Sequence, residues 1–305
     1  MDTKILIGAD IVPTKSNYVE FIEGNVETLV GKTMCDLLHE MDFTIFNLEV
    51  PLTDVISPLQ KCGPNLQALS KTINGIKKLN PYFFTLANNH ILDQSVQGLK
   101  ATMEILNREN IKYAGAGNDL KEASKPFVFE KNGIKIGIYC CAEREFSIAT
   151  ENKAGANPFD PLFSLDHIRL LKKDVNYVIV LYHGGKEHYR FPSPNLQKTC
   201  RRIVDSGADL VVCQHSHCIG CYEDWETGKI IYGQGNFLFD DSDSEFWKTS
   251  LLIEIIFKSK NDFSIEYIPI VKVGNGIRLA ENEKKVEIIN GFEDRSKRII
   301  ESAFI

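Results

Sequence analysis

The feature that most restricts the fold of this chain is a short apolar run that recurs and ends each time in polar residues. The five runs are KILIGAD, FTIFNLE, FFTLANNH, YVIVLYH and LVVCQHSH, which end at Asp10, Glu49, His90, His183 and the pair His215 and His217. Apolar runs of this length that stop at polar residues are typical of buried β-strands. The chain is therefore predicted to contain several buried strands with polar chemistry at their ends.

Helical patterns follow several of these runs. Apolar residues recur at helical spacing at Val96, Leu99, Met103 and Leu106, and again at Leu196, Cys200, Ile203 and Val204. Alternation of strands and helices predicts a layered α/β fold with parallel strands. Ligands in such folds bind beyond the carboxyl ends of the strands. We therefore expect the polar residues at the five strand ends to meet at one place.

The remaining segments complete the predicted architecture. Pro126 to Ala142 has the pattern of a hairpin, and Glu293 to Phe304 that of a closing amphipathic helix. Three runs after residue 228, KIIYGQGNFLF, SLLIEIIF and FSIEYIPIVKV, resemble successive antiparallel strands. No segment has the composition of a linker. We therefore expect one domain, residues 1–258, with a C-terminal strand and helix extension, residues 259–305, packed on it.

Composition excludes several classes of function. The chain of 305 residues carries 35 basic and 41 acidic residues, a net charge of −6, which argues against nucleic acid or an anionic membrane as a partner. No apolar run reaches transmembrane length, and the N-terminus lacks the pattern of a signal peptide. Eight cysteines fit a reducing compartment if they are unpaired. We therefore expect a soluble, cytoplasmic protein.

The polar residues at the strand ends are those that bind divalent transition metals. Carboxylate, asparagine and several histidines at one site suit one or two ions of Mn²⁺, Fe²⁺ or Zn²⁺. His215 and His217 are two residues apart, so a strand would place both imidazoles on the same side. Neither this pair nor His183 is specific alone, and the Asn-Asn-His of FFTLANNHILD also fits a turn before a helix cap. The joint pattern is what predicts a metal site.

Two further segments allow two interpretations each. HGGKEHYRFPSP, residues 183–194, is either a solvated loop or a loop that offers Lys186, Glu187 and Arg190 to an anionic substrate. Cys218 and Cys221 form a CxxC, which fits a redox pair or half of a zinc site. Because no second CxxC exists, we interpret the pair as incidental.

Five motifs resemble one known family in order and spacing. NLEVPLTD, LANNHILDQSVQGL, YAGAGNDLKEA, ADLVVCQHSH and IIYGQGNFLFD are similar to the CapA-type proteins of poly-γ-glutamate capsule biosynthesis, over about residues 4–241. That family resembles a branch of the calcineurin-like metallophosphoesterases. The resemblance implies a four-layer α-β-β-α sandwich with a metal site at the carboxyl ends of its strands.

The resemblance also implies roles for single residues. Metal ligands would be Asp10, Glu49 (bridging two ions), Asn89, His183, His215 and His217; Asn89, His183 and His215 would share one ion with Glu49, and Asp10 and His217 the other. His90 would assist the leaving group, with Asp93 either orienting it or capping a helix. Asn88 and Asn236 would join Lys186, Glu187 and Arg190 in binding substrate. The phosphoesterases usually have D-x-H in the first motif, where this chain has Val12, so one ligand of the second ion is missing.

Three functions are compatible with these residues. The first is metal-dependent hydrolysis, of the phosphoric ester hydrolase class. The second is a non-catalytic or accessory role in which the same pocket binds γ-linked polyglutamate or a saccharide precursor. The third is a metal-dependent amide hydrolase or transferase that acts on that polymer. In each case the partner is an anionic small molecule or polymer.

Overall fold

The computed structural model of the chain describes residues 2–143, 145–240 and 242–301, and only the backbone of residues 300 and 301. The strands are β1 (Thr3–Val12), β2 (Phe43–Leu48), β3 (Phe83–Thr85), β4 (Lys112–Ala114), β5 (Ala116–Gly117), β6 (Phe127–Lys131), β7 (Ile134–Ala142), β8 (Gly155–Ala156), β9 (Tyr177–His183), β10 (Leu210–Gln214), β11 (Tyr222–Trp225), β12 (Gly228–Ile231), β13 (Asn236–Phe239), β14 (Thr249–Ser259), β15 (Asp262–Val273) and β16 (Gly276–Leu279). The helices are α1 (Tyr18–Glu23), α2 (Val26–Val30), α3 (Lys32–Glu40), α4 (Ile73–Ile76), α5 (Ser95–Arg108), α6 (Leu120–Ala123), α7 (Ser164–Asp174), α8 (Pro194–Asp205) and α9 (Asn282–Glu301).

Two sheets carry most of these strands. The first has the order β16-β15-β14-β1-β2-β3-β4, with β13 paired in parallel to the end of β1. The second has the order β11-β12-β10-β9-β7-β6. The central strands run parallel within each sheet: β1 to β4 in the first, and β7, β9, β10 and β12 in the second. Each sheet therefore presents the carboxyl ends of several strands at one edge.

Alternating side chains divide the core into layers. Ile5 and Ile7 of β1 pack against residues of the second sheet such as Ile179, which forms a core between the two sheets. Leu6, between them, faces the other way and packs with Leu99 of α5 and the other helices on that side. The outer face of the second sheet is covered by α7 and α8. This period of two produces the predicted four-layer α-β-β-α sandwich, which is confirmed.

The two helices and the hairpin that the sequence predicted were confirmed. The Val96 to Leu106 pattern lies on α5, and the Leu196 to Val204 pattern lies on α8. The predicted hairpin is β6 and β7, which pair antiparallel.

Two predictions about the C-terminal part were wrong in part. KIIYGQGNFLF is two strands, β12 in the second sheet and β13 in the first, and both run parallel to a neighbour. Gly233 and Gly235 adopt φ of 138° and 85°, and these turns let the chain pass from one sheet to the other. The helix predicted over residues 293–304 is present as part of α9, but it begins earlier, at Asn282; residues 302–304 lie outside the described part of the chain. The first turns of α9 are mostly exposed and charged, so they lack a clear apolar period.

The C-terminal elements extend the first sheet and cover one end of the core between the sheets. β15 pairs with β14 from Thr249 to Ser259. Phe292 of α9 is fully buried, and its ring lies 4.9 Å from that of Tyr267 on β15. The domain boundary at residue 258 stays a prediction. In the described part of the chain, we find no helix with the length and apolarity needed to cross a membrane.

Candidate metal centre

Six predicted ligands lie at the carboxyl ends of strands from both sheets. Asp10 is in β1, Glu49 follows β2, and Asn89 lies in the turn after β3. From the second sheet come His183, the last residue of β9, and His215 and His217, which follow β10. All are buried except Asn89, which is half-buried. The two sheets therefore bring together the residues that the sequence predicted.

Glu49 is central to two groups of possible ligand atoms. One atom each from Asp10, Glu49 and His183 lies within 4.8 Å of the others, and the same holds for Glu49, His215 and His217. Glu49 is thus shared, as a bridging ligand would be. Nε2 of His183 is 3.2 Å from Oε1 of Glu49 and 2.9 Å from Oδ1 of Asn89, which places Asn89 beside the first group.

The distances group the other ligands in a different way from the one the resemblance implied, and their division between two ions stays a prediction. The structure groups Asp10 with His183, whereas the resemblance implied Asp10 with His217. His215 and His217 fall in one group because the chain turns sharply between them, with positive φ of 88° and 51° at the two histidines. Such backbone angles are uncommon for residues other than glycine and concentrate at functional sites. Oδ2 of Asp10 still lies 3.5 Å from Nδ1 of His217, so all six residues form one contiguous cluster.

Buried oxygens without hydrogen bonds make this cluster suitable for cations. Oδ2 of Asp10 and both carboxylate oxygens of Glu49 are buried and accept no hydrogen bond from the described residues, although imidazole nitrogens of His217 and His183 lie 3.5 and 3.2 Å away. The side chains of both residues are fully buried. Burying a carboxylate without compensation is strongly unfavourable, and buried charges are usually paired or bound to metal. These oxygens and the imidazole nitrogens form the mixed N/O donor set that Mn²⁺, Fe²⁺ or Zn²⁺ accept. The residues present therefore fit one or two divalent ions.

The electrostatics of the site favour metal binding at His215. Burial and then the neighbouring His183 lower the pKa of His215 to about 3, so its imidazole is neutral at pH 7. A neutral imidazole is the form that binds metal.

The protonation of His217 is instead coupled to the carboxylates of Glu49 and Asp10. Although burial opposes it, Glu49 and Asp10 together raise the pKa of His217 to about 9. Burial also opposes ionisation of Glu49, but His183 and His217 outweigh it, so the pKa of Glu49 is held below its ordinary value. Burial and then the charge of Glu49 raise the pKa of Asp10. A cation bound here would replace a proton on His217.

A layer of asparagines orients the ligands, and the sequence analysis missed one of them. Asn47 donates a hydrogen bond to Oδ1 of Asp10 (2.8 Å), and its amide nitrogen lies 3.3 Å from Nδ1 of His183. Second-shell partners of this kind fix ligand orientation. The signal in the sequence was a polar residue inside the apolar run FTIFNLE, two positions before its end.

Asn88 and Asn236 also contact residues of the cluster and its neighbours, and their role in binding substrate stays a prediction. Asn88 is fully buried, donates to Oδ1 of Asn47 (3.0 Å) and accepts from the backbone N–H of His90 (3.1 Å). Oδ1 of Asn236 lies 2.8 Å from Nδ1 of His217, which leaves Nε2 of that ring for a ligand role.

His90 and Asp93 form a buried pair beside the cluster. Nδ1 of His90 lies 2.6 Å from Oδ2 of Asp93, the arrangement expected if Asp93 orients His90. The alternative role of Asp93 as a helix cap is wrong, because α5 begins after Gln94 and has no side-chain cap. Nζ of Lys61 lies 2.7 Å from Oδ1 of Asp93, and the Lys61 side chain is only 3% exposed. The sequence analysis missed Lys61, which lies 32 residues before Asp93 in an otherwise exposed loop.

The loop after β9 reaches the cluster through a different residue from those predicted. Lys186 and Glu187 are exposed, and Nζ of Lys186 lies 4.3 Å from the ring centroid of Tyr189. Arg190 packs over Phe246 and lines a separate cavity. The ring of His188 lies 6.4 Å from that of His217, and Nε2 of His188 accepts a hydrogen bond from Trp247 (2.9 Å). His188 is therefore the residue through which this loop approaches His217.

Trp247 completes the rim of the cluster. Its ring lies 4.9 Å from the ring of His217 and 4.7 Å from that of Phe239. The rings of Trp247 and Phe239 thus pack against the ring of His217.

The remaining sequence features contribute no ligand. Val12 is 2% exposed and belongs to the apolar core between the first sheet and its helices. Cys218 and Cys221 are buried and unpaired, and burial raises the pKa of Cys221 to about 12. A protonated, buried thiol is inert, which agrees with interpreting the CxxC as incidental.

Solved structures share this fold. A hypothetical protein from Thermus thermophilus superposes with a TM-score of 0.56 at 12% identity, covering 89% of this chain and 100% of its own. A putative 5′-nucleotidase from Staphylococcus aureus gives 0.55 at 14% identity, covering 96% and 58%. A novel phosphatase from Mycoplasma pneumoniae gives 0.53 at 15% identity, covering 89% and 94%. The fold is therefore of the metallophosphoesterase type, and at these identities the likeness extends to the fold alone.

Two curated relatives are CapA proteins of capsule or PGA biosynthesis. The PGA biosynthesis protein CapA of Bacillus subtilis (strain 168) is 30% identical over 239 residues, 77% of this chain and 62% of that protein. The capsule biosynthesis protein CapA of Bacillus anthracis is 27% identical over 242 residues, 76% of this chain and 59% of that protein. This chain thus spans about three fifths of the length of these relatives.

A family model covers most of the chain. The model described as bacterial capsule synthesis protein PGA_cap matches residues 10–241. The match begins at Asp10 and includes the other five predicted metal ligands. The chain therefore belongs to the bacterial capsule synthesis protein family PGA_cap.

Proposed function

We propose that this protein is a divalent-metal-dependent hydrolase and that its first substrate class is phosphate esters. The observation that carries the proposal is the set of three buried carboxylate oxygens, on Asp10 and Glu49, that accept no hydrogen bond and face imidazoles of the second sheet. Without a metal, the charges of these carboxylates are compensated mainly by the imidazoles of His183 and His217. One or two ions of Mn²⁺, Fe²⁺ or Zn²⁺ would compensate them and, when bound, would supply Lewis-acid chemistry for hydrolysis.

The residues around the ion would divide the remaining work. Asp10, Glu49, Asn89, His183, His215 and His217 would hold the metal. His90 would give a proton to the departing oxygen of the ester, since its Nδ1 is fixed by Asp93 and its Nε2 is left for this transfer. Lys61 would hold Asp93 in place through their 2.7 Å contact. Asn47 and Asn236 would hold Asp10 and His217 in orientation.

A second candidate is an accessory protein that binds a capsule polymer without cleaving it. Two observations favour it: the buried Val12 at the position of a usual ligand, and the names of relatives. A probable polyglutamine synthesis accessory protein of Mycobacterium tuberculosis is 25% identical over 183 residues, 55% of this chain and 48% of its own. Polymer binding, or metal-dependent cleavage or transfer at its amide bonds, would use the same cluster.

One experiment distinguishes these candidates. Purified protein is analysed for bound metal, then assayed with Mn²⁺, Fe²⁺ or Zn²⁺ on a panel of phosphate esters and γ-glutamyl peptides. His215→Ala serves as the matched variant, because it removes a ligand and not a core contact. We expect turnover of phosphate esters by the wild type and none by the variant at unchanged fold. A metal-loaded wild type that binds polyglutamate but hydrolyses nothing would favour the accessory role instead.

We also propose that the protein acts in a reducing compartment, as the cytoplasm is. All eight cysteines are unpaired, and Sγ of Cys200 and Cys213 lie 3.6 Å apart without a disulfide. Thiol titration of denatured protein, purified without reductant, should find eight free thiols, and fewer would contradict this location.

A further inference from the structure

A cavity beside α9 has a composition unlike that of the rest of the chain. Its volume is about 520 Å³, and it lies between α9, β15 and the loop that follows β9. Most of its lining lies beyond residue 241, outside the segment that matches the family, and it includes none of the predicted metal ligands. A cavity of this size is typical of small-molecule sites.

Positive charge dominates the walls of this cavity. Its two acidic residues, Glu245 and Glu287, each pair with a lysine of the same wall, Lys248 and Lys284. The basic residues of the lining are Arg190, Lys248, Lys272, Lys284 and Arg295. Lys272 pairs with Asp240, which lies next to the cavity but outside its lining. The basic residues of the lining that no acidic residue pairs with in the described part of the chain are therefore Arg190 and Arg295.

Two arginines in the cavity have no carboxylate partner. Among residues 2–143, 145–240 and 242–301, neither Arg190 nor Arg295 forms an ion pair. Nε of Arg190 is buried and has no hydrogen-bond partner. Arg295 donates from Nε to the backbone carbonyl of Gly220 (2.7 Å). Burial and then the nearby charge of Arg190 lower the pKa of Arg295 to about 10, so the guanidinium group of Arg295 stays charged at pH 7.

The neighbouring guanidinium groups of Arg190 and Arg295 repel each other, and an anion bound by both would offset this repulsion. Guanidinium groups bind carboxylate and phosphate oxygens through paired hydrogen bonds, and partly buried sites strengthen these contacts. We propose that this cavity binds an oxyanion, a carboxylate or phosphate group of a small polyanion, held by Arg190 and Arg295. The site is separate from the metal centre, and the proposal does not depend on the proposed hydrolysis.

The cavity is connected to the metal centre by short stretches of chain. Ile219 in its lining lies two residues after His217, and Arg190 lies two residues after His188. An anion held here would therefore fix the loop that carries His188. A ligand with several linked anionic groups that binds at the metal centre would have a second point of attachment in this cavity.

Calorimetric titration with two probes tests the proposal. Inorganic phosphate and a γ-linked glutamate tetramer are titrated into the protein, both metal-loaded and after treatment with chelator. The variants are Arg190→Gln, on a loop, and Arg295→Gln, on α9. The control is Lys297→Gln, which removes a charge from the same helix at a residue outside the cavity. Thermal unfolding checks that each variant is folded.

We expect at least one probe to bind with and without metal, and each arginine variant to weaken that binding by about tenfold or more. Lys297→Gln should leave it unchanged. Tighter binding of the tetramer would identify linked carboxylates as the ligand, and tighter binding of phosphate would identify a phosphate group. Equal binding by wild type and Arg190→Gln would overturn the proposal. Loss of all binding on chelation would also overturn it, because the anion would then be held by the metal centre.

Discussion

Nε2 of His183 lies 3.2 Å from Oε1 of Glu49, although the two residues lie at the ends of strands in different sheets. Asp10 and Asn89, like Glu49, lie at the ends of strands of the first sheet. His215 and His217, like His183, lie at the ends of strands of the second sheet. An ion held by residues from both sheets would link them at their carboxyl edge.

The first prediction is that divalent metal stabilises the folded protein. A ligand that binds only the native state at 100 times its Kd adds about 2.7 kcal/mol to the free energy of unfolding. We expect a corresponding rise in Tm on adding Mn²⁺ or Zn²⁺, and its reversal by chelator. Glu49→Gln removes the shared carboxylate and should abolish the rise. A variant that still gains the full stabilisation would show that the ions bind elsewhere.

The second prediction separates two adjacent residues. Asn89→Ala should lower metal content and activity together, because Oδ1 of Asn89 lies beside His183 and Glu49. His90→Ala should retain the metal and lose about 10²–10⁴-fold in rate on alkyl phosphates. The loss should shrink for nitrophenyl esters, whose leaving group departs without a proton. Equal losses on both substrates would exclude His90 as the proton donor.

The third prediction concerns the buried pair of Lys61 and Asp93. Removing one partner of a buried ion pair typically costs about 3–5 kcal/mol, because the remaining charge is left without compensation. We expect Lys61→Met to lower the free energy of unfolding by about that amount in urea titration. Lys32→Met is the matched control, because the pair of Lys32 and Asp36 is exposed and such pairs contribute about 0–1 kcal/mol. Equal effects of the two substitutions would contradict the pairing.

The fourth prediction is that metal affinity rises with pH. His217 has a pKa of about 9 in the protein without metal, so below that pH a metal must displace its proton. Affinity at this position should increase about tenfold per pH unit up to about pH 9 and then level off. Calorimetry in buffers of different ionisation enthalpy should detect one proton released per ion at pH 7. Affinity that does not change with pH would mean that His217 binds no metal.

The fifth prediction concerns Val12. Because this buried side chain offers no ligand, the two metal positions should differ in affinity, or only one should fill. Titration of metal-free protein, followed by metal analysis, measures both. Two equally tight ions would require another residue to replace the missing ligand.

The fold and the membership of the cluster could be predicted from the sequence because both depend on local patterns. A strand shows its period of two, and a polar residue at its end stands out, as Glu49 and His183 do. The distances between ligands of different sheets, such as Asp10 and His183, depend on how the two sheets dock, which no local pattern contains. Lys61 was missed for the same reason, since its partner Asp93 is distant in the chain. The cavity beside α9 could not be predicted from the sequence, because it depends on the position of that helix. The exposed first turns of α9 lack an apolar period.

The contact between Trp247 and His217 has a spectroscopic consequence. The chain contains two tryptophans, and Trp247 lies on the rim of the metal centre, with its ring 4.9 Å from that of His217. The other, Trp225, donates a hydrogen bond to Asp205. Replacing Trp225 with phenylalanine would leave one indole, whose fluorescence comes entirely from beside His217. The fluorescence of Trp247 would therefore report on the charge of the His217 imidazole.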